Sequence, residues 1–396
     1  MKKRLALNFV FIFTVLFFCS ESWGLDEIVE KKTFTLEEFT LISGKKLAPV
    51  KIGYETYGAL ASTKDNVILI CHYYSGNSHA AGKYAATDKV PGYWDKIIGP
   101  GKPFDTTKYF IVSSDTLSNM NPKNPKVITT GPASNDPKTG KPYGMSFPMV
   151  TIRDFVNLQY ELLKSLGVKK LQVVSGASMG GIQSYEWAVA YPDFVERIIP
   201  VIATPKTDGW LIGWLKLWGE PIKMDPNWNN GDYYGKEEPV AGKTYSLALI
   251  TLSALWSDWA DQLYARKWAD SQKSPFEAMD NVFLADAALF KRAAGRSQMA
   301  DANSMLYLNK ANALFDISQG FDTYEAALKS IKAKILMVGA DTDILFTATQ
   351  LKQHFDAFQK AGLDVSFFEL KTGFGHLGGV LDISQASERI TKFLGE

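Results

Sequence analysis

The chain has 396 residues, a formal net charge of +1, an apolar fraction of 46% and a charged fraction of 21%. A chain of that length can bury a large core, and a near-neutral charge with scattered lysines excludes nucleic acid and anionic membrane surfaces as partners suggested by composition. The densest basic run, PKNPKV at 122–127, is broken by prolines and reads as a solvated loop.

In chain order, Lys2, Lys3 and Arg4 precede an apolar run over 5–18. Charge followed by an apolar stretch too short for a comfortable membrane span is the pattern of a secretory signal. Ser22 and Gly24 supply the small residues of a cut before Leu25. Residues 1–24 are therefore expected to be a cleaved signal peptide, and the mature chain is expected to be secreted or periplasmic without stable membrane association. Cys19 offers a lipoprotein alternative, opposed by the bulky Phe18 where such a cut needs a small residue. The mature chain then keeps only Cys71, so an intramolecular disulfide is excluded, and Cys71 reads as a buried small hydrophobe at the end of VILIC.

TFTLEEFTLISG and KLAPVKIGYETYG predict an opening hairpin turning at SGKK. VILIC (67–71), YFIVSSD (109–115), LQVVS (171–175) and ERIIPVIAT (196–204) are nearly all-apolar runs suited to parallel strands buried on both faces. TIRDFVNLQYELLKSLG (151–167) and GIQSYEWAVAYP (181–192) read as helices between them. The long irregular segment 115–148 is expected to line an active-site mouth. The strand–helix alternation spans 25–204, is lost over 205–325, and returns over 326–396 with KILMVG, TATQLKQHFDAFQKAG and DVSFFEL. The pattern predicts one α/β domain, a mostly parallel sheet with helices on both faces, carrying an inserted helical cap at 205–325. Trp210, Trp214, Trp218, Trp228 and Trp256 of the cap are candidates for a pocket lining, although helical spacing at 210, 214 and 218 favours core packing.

Chemistry enters at LQVVSGASMGG. A G-x-S-x-G alone is weak, but here it leaves an apolar strand run and opens a helix, as a nucleophile elbow requires. Ser178 is the candidate nucleophile, and its glycine neighbours make room for the turn. A serine hydroxyl needs a base. Four histidines are present, and the chain order of such sites leaves His354 and His376 after the serine. His354 lies within an amphipathic helix, whereas His376 sits in the glycine-rich loop KTGFGHLGG after the last strand and is the candidate base. The acid should follow KILMVG, where GADTDILF offers Asp341 and Asp343; Asp343 is preferred because the apolar residues after it pin its position, and Asp341 reads as a turn or N-cap residue. Met179 N–H is one expected oxyanion donor, and the second should come from HYYSGNSH (72–79). His72 and His79 lack the acidic or thiol company of a metal site and read as structural, so neither metal nor cofactor is expected.

With these residues placed, the chain resembles the homoserine O-acetyltransferase family of α/β-hydrolase-fold enzymes. The likeness shows in YETYG (54–58), IIGPGKPFDTTKYFIV (97–112), TGPASNDPKTGKPYG (130–144), FPMVTIRDFV (147–156), GASMGGIQSYEWAVAYPD (176–193), DPNWNNGDY (225–233), ADANSMLYL (300–308) and DTDILF. The resemblance implies Ser178, Asp343 and His376 as nucleophile, acid and base, the backbone N–H groups of Tyr74 and Met179 as oxyanion donors, and a homodimer through the cap. It also shows two departures. An aspartate that holds the acceptor's amino group in the family is replaced by Leu377, and an arginine that pairs with the acceptor's carboxylate falls on Leu247. The resulting expectation is an exported serine hydrolase acting by acyl transfer on an uncharged or largely apolar ester. The alternatives are a homoserine or serine O-acetyltransferase using acetyl-CoA and a non-catalytic binding protein on a hydrolase scaffold.

Overall fold

The computed structural model describes residues 28–396, so the expected signal peptide lies outside the described residues. The strands are β1 (Lys32–Leu36), β2 (Val50–Tyr57), β3 (Val67–Cys71), β4 (Phe110–Ser114), β5 (Leu171–Ala177), β6 (Arg197–Val201), β7 (Lys334–Ala340) and β8 (Val365–Leu370). Among the described residues these eight form one sheet in the order β1-β2-β4-β3-β5-β6-β7-β8. β2 pairs antiparallel with β1 and with β4, and every other neighbour pair is parallel.

The apolar runs are explained by burial on both faces. Val67, Leu69 and Cys71 of β3 pack with Val174, Ile335 and Met337 on one side, while Ile68 and Ile70 pack with Val173, Leu336 and Val338 on the other. The first side is covered by α1 (Ile152–Ser165) and α2 (Met179–Ala190), the second by Trp94, Phe104 and the final helix Ser387–Gly395. Cys71 is fully buried, and burial pushes its thiol well above the ordinary range, in keeping with a structural role.

Local rules set the helix ends. Thr151 and Asp154 form a reciprocal capping box at the start of α1, and Gly167 just beyond its end takes φ +76°. Thr347 and Gln350 do the same for α9 (Ala348–Lys360). The opening hairpin is present, with β1 and β2 pairing from Lys32↔Tyr54 to Leu36↔Val50 and a small inner pair, Phe39–Thr40 with Lys46–Leu47, at its tip.

Between β6 and β7 the chain is helical: α3 (Gly209–Met224), α4 (Val240–Ser253), α5 (Ser257–Leu263), α6 (Leu284–Ser297), α7 (Ala302–Ala313) and α8 (Tyr324–Ser330). Asp208 and Asp301 N-cap α3 and α7 through their side chains. This insertion sits over the C-terminal ends of the parallel strands, where open α/β sheets place their ligands.

Candidate active site

Loops leaving β3, β5, β6, β7 and β8 at one sheet edge bring the candidate residues together. At the end of β5, Ser178 has φ 55° and ψ −119°, a conformation a non-glycine residue adopts only under constraint. Its N–H donates to Val201 O at 2.9 Å, and its carbonyl accepts from Ile182 N at 2.9 Å. The neighbouring glycines serve closeness rather than positive φ. A Cβ on Gly176 would lie 2.3 Å from Cys71 O, and one on Gly180 2.0 Å from the same oxygen. The turn therefore nests against the end of β3 only because both side chains are absent.

The expected relay is assembled. Ser178 Oγ lies 2.8 Å from His376 Nε2, and His376 Nδ1 lies 2.7 Å from Asp343 Oδ2. Asp343 Oδ1 accepts from the Leu345 and Phe346 N–H groups at 2.8 and 3.1 Å, so the turn that follows orients the carboxylate. With Asp343 accepting at Nδ1–H, Nε2 is left free to take the serine proton. Phe346 stacks on the imidazole at 5.5 Å between centroids. Asp341 instead accepts from Thr372 N at 3.1 Å and pairs with Lys371, tying the β7 loop to the β8 loop away from the imidazole.

The glycines around His376 have separate reasons. Gly375 takes φ +59°, and a Cβ there would lie 2.8 Å from the Leu255 backbone of the cap, while one on Gly379 would meet Ile202 at 2.6 Å. Leu377 N donates to Ala254 O at 3.1 Å, stitching the histidine loop to the end of α4. Ile202, directly after β6, is itself at φ 46° and lines the site, a strained β-branched residue that no sequence pattern announced.

Met179 is the first residue of α2, so its N–H has no intrahelical acceptor. Tyr74 lines the same cavity, and its hydroxyl lies 2.8 Å from Asn309 Oδ1 and 3.0 Å from Met305 O, so that its one proton goes to either acceptor and anchors the 72–79 loop to α7. His72 sits fully buried beneath that loop, with Nε2 accepting from Thr116 N at 3.2 Å; burial, helped by the charge of Lys31, brings it down to about 4, so it is neutral and structural. His79 pairs with Glu55 at 2.9 Å. His354, half-buried beside Tyr324 on α9, is remote from the relay.

The segment 115–148 differs from expectation. It does not line the cavity that holds Ser178, although Asn124 and Lys126 line an adjoining cleft that shares Tyr73 and Ser75 with it; most of the segment's contacts brace the 72–79 loop from behind. Asn119 donates to Gly76 O at 3.0 Å and Asn121 to Ser75 O at 3.2 Å, and Asp115 accepts from Ser78 N at 2.8 Å. Asn119, Asn121 and Asp115 thus satisfy backbone groups of that loop.

The cavity above Ser178 has a volume of about 300 Å³. Leu211, Leu215 and Trp218 of α3, Ile250 and Thr251 of α4, and Leu377 are part of its wall, beside Tyr73, Tyr74 and Ser75 of the 72–79 loop. Of the five cap tryptophans considered, Trp218 lines it; Trp256 lines an adjoining apolar cavity of about 220 Å³. Leu247 is fully buried in α4 and does not line the cavity, so the two leucine departures are not equivalent. Nor is the wall without charge. Arg292 and Arg296 of α6 both reach it, and nothing in the α6 sequence distinguished them from other surface arginines.

A strained serine after the central strand, relayed through histidine to a buried aspartate at the strand ends, defines an enzyme of the α/β-hydrolase class. The chain matches the α/β-hydrolase fold family over residues 128–378. It is 39% identical over 378 residues to a homoserine O-acetyltransferase of Carboxydothermus hydrogenoformans, covering 93% of this chain and 95% of the relative. Among solved structures it is similar to the homoserine O-acetyltransferase of Bacillus anthracis, at 39% identity and a TM-score of 0.89 over 93% of this chain and 98% of that one. It is also similar to esterase E22, at 44% identity and a TM-score of 0.89 over 92% of this chain and 100% of that one. The chain belongs to the homoserine O-acetyltransferase-like family of α/β-hydrolase-fold enzymes.

Proposed function

We propose that the chain transfers acyl groups through a covalent intermediate on Ser178. In the first step His376 Nε2 takes the hydroxyl proton as Ser178 Oγ bonds to the acyl carbon. The carbonyl electron pair moves to oxygen, where the N–H groups of Tyr74 and Met179 would receive it. Collapse expels the leaving group, which takes the proton back from His376. In the second step the acceptor's O–H gives its proton to His376 and its oxygen to the acyl carbon, and Ser178 leaves protonated. The observation that carries this reading is the hydrogen-bonded chain Ser178–His376–Asp343, at 2.8 and 2.7 Å, opening onto one cavity.

For the acceptor, the homoserine O-acetyltransferase relatives support an alcohol, with acetyl-CoA as donor, better than they support an exported esterase. Hydrolysis is the second reading, favoured by Leu377 on the cavity wall and by the similarity to esterase E22. The charged-then-apolar start of the chain supports export, which would separate the enzyme from a cytoplasmic thioester. Purified chain supplied with acetyl-CoA and homoserine, against the same chain with a simple acetyl ester in water, separates the two. O-acetylhomoserine formed faster than ester is hydrolysed supports transfer, and the reverse order overturns it. Terminal sequencing of the mature protein tests the cut after Gly24, and its mass in solution tests a homodimer.

A further inference from the structure

The cavity wall carries a charge, that of Arg296, which no carboxylate among the described residues pairs with. Arg296, half-buried on α6, donates from Nη1 to Thr251 Oγ1 at 2.7 Å, and Thr251 Oγ1 donates in turn to Leu247 O at 2.7 Å. A guanidinium has five N–H donors in a planar fork, and among the described residues this is the one bond recorded for Arg296. The charged or ionisable groups around it are Arg292, Tyr73 and Tyr74, with no carboxylate among them. Burial lowers its pKa, and Arg292 one helical turn away adds to the effect, yet a guanidinium remains charged under any working condition. A guanidinium drawn from water without a counter-ion, with the exposed Arg292 of like charge one turn away, is costly unless an anion completes the arrangement.

We propose that Arg296, assisted by Arg292, receives a carboxylate of the substrate in the cavity above Ser178, and that the cavity does not read an ammonium group. The fork suits a carboxylate bidentately. Leu211, Leu215, Trp218 and Leu377 make much of the rest of the wall apolar, and its polar members, Tyr73, Ser75 and Asn312 among them, include no carboxylate to pair with a cation. The chemical class is therefore an ester, or an acceptor alcohol, bearing a carboxylate but needing no α-amino group. The carboxylate can lie on the alcohol side, as in a hydroxy acid, or on the acyl side, as in a dicarboxylic half-ester. This inference rests on the acyl-transfer reading and narrows it: homoserine would be held by its carboxylate alone.

Turnover of three esters by the purified full chain tests it: the acetyl ester of γ-hydroxybutyrate, monoethyl succinate and butyl acetate. One of the two carboxylates should raise kcat/KM over butyl acetate by about ten- to a hundredfold, identifying the side that Arg296 reads. Arg296→Met should remove most of that ratio, and Arg296→Lys should keep part of it. As acceptors, γ-hydroxybutyrate should serve at least as well as homoserine and better than butanol. Equal kcat/KM for all three esters, or a ratio unmoved in Arg296→Met, overturns the inference while leaving acyl transfer intact. Failure of acyl transfer is a different result: no turnover, and no fluorophosphonate labelling of Ser178. Calorimetry on Ser178→Ala then still decides the carboxylate site. Binding of γ-hydroxybutyrate but not butanol, lost when Arg296→Met is added, supports it, and equal binding of the two overturns it.

Discussion

The two halves of the site are built in different ways. The sheet half, with Ser178, Asp343 and His376, is made of short segments in which neighbours in sequence hold each other. Gly176 and Gly180 let the serine turn touch the end of β3, and Leu345 and Phe346 orient the aspartate two and three residues before them. The cap half is assembled from residues far apart, with Trp218, Thr251, Arg296 and Asn312 arriving from α3, α4, α6 and the end of α7. Chemistry thus sits on locally determined turns, and recognition on the packing of helices. Changes in the first half should destroy turnover whatever the substrate, while changes in the second should reorder substrates.

The largest expected effect is Ser178→Ala, which should lower kcat by roughly 10⁴-fold or more and abolish fluorophosphonate labelling, with thermal unfolding little changed. Labelling that persists would move the nucleophile elsewhere and dissolve the contrast. Next is Asp343→Asn, which should cost about 10³- to 10⁴-fold in kcat through loss of the imidazole's tautomer and charge support. Asp341→Asn, which touches only the loop tie to Thr372 and Lys371, should stay within a few-fold. Equal losses in the two variants would mean that the loop as a whole, and not the carboxylate at 2.7 Å from His376, matters.

A third change separates structure from chemistry within the same half. Gly180→Ala adds a Cβ aimed at a backbone oxygen 2.0 Å away, and backbone cannot step aside as a flexible side chain would. We expect a loss of roughly 2–3 kcal/mol in stability, read by urea unfolding, together with a fall in kcat as Ser178 is displaced. Full stability with full activity would show that the turn is looser than its geometry.

That division also explains what sequence patterns could and could not reveal. The parallel strands, the elbow, the histidine loop and the preference for Asp343 over Asp341 were legible because each depends on a few adjacent residues: apolar runs, glycines at points of contact, and apolar residues after the acid. Arg292 and Arg296 were not legible, since an exposed-looking pair at helical spacing gains its meaning only when α6 packs beside α4. Leu247 shows the converse. Its register suggested a substrate contact, but the turn of α4 that faces the cavity is the next one, at Ile250 and Thr251, and Leu247 is core. The polar segment 115–148 misled in a third way, because turn residues that look available to a substrate are consumed by buried carbonyls and N–H groups of the 72–79 loop.

The smallest effect concerns the outer brace of the sheet half, and it has a pH signature. Glu55 on β2 is fully buried and accepts from Tyr57, Ser78, His79 and Tyr84 at 2.7–3.0 Å, with Lys31 at 3.1 Å. Burial alone would raise its pKa, but the bonds from His79 and Tyr84 and the charge of Lys31 outweigh it and hold the carboxyl at about 2. A folded pKa below the ordinary glutamate value means that the folded state binds the proton less readily than the unfolded chain. The stabilisation is then fully present above the ordinary carboxylate range and is lost as pH falls from about 4.5 toward 2. Asp115, on the other side of Lys31, is shifted upward by its burial and works in the opposite sense, offsetting part of the slope. Glu55→Gln should therefore destabilise the protein at neutral pH by on the order of 2 kcal/mol and flatten the fall of the urea midpoint between pH 5 and about 2. Because Ser78 and His79 belong to the loop that presents Tyr74, the variant should also lower kcat several-fold on every ester alike, without altering the order in which esters are preferred. Parallel midpoint curves for the two proteins would show that the brace is not the acid-labile part of the fold, and a changed ester order would show that the two halves of the site are not independent.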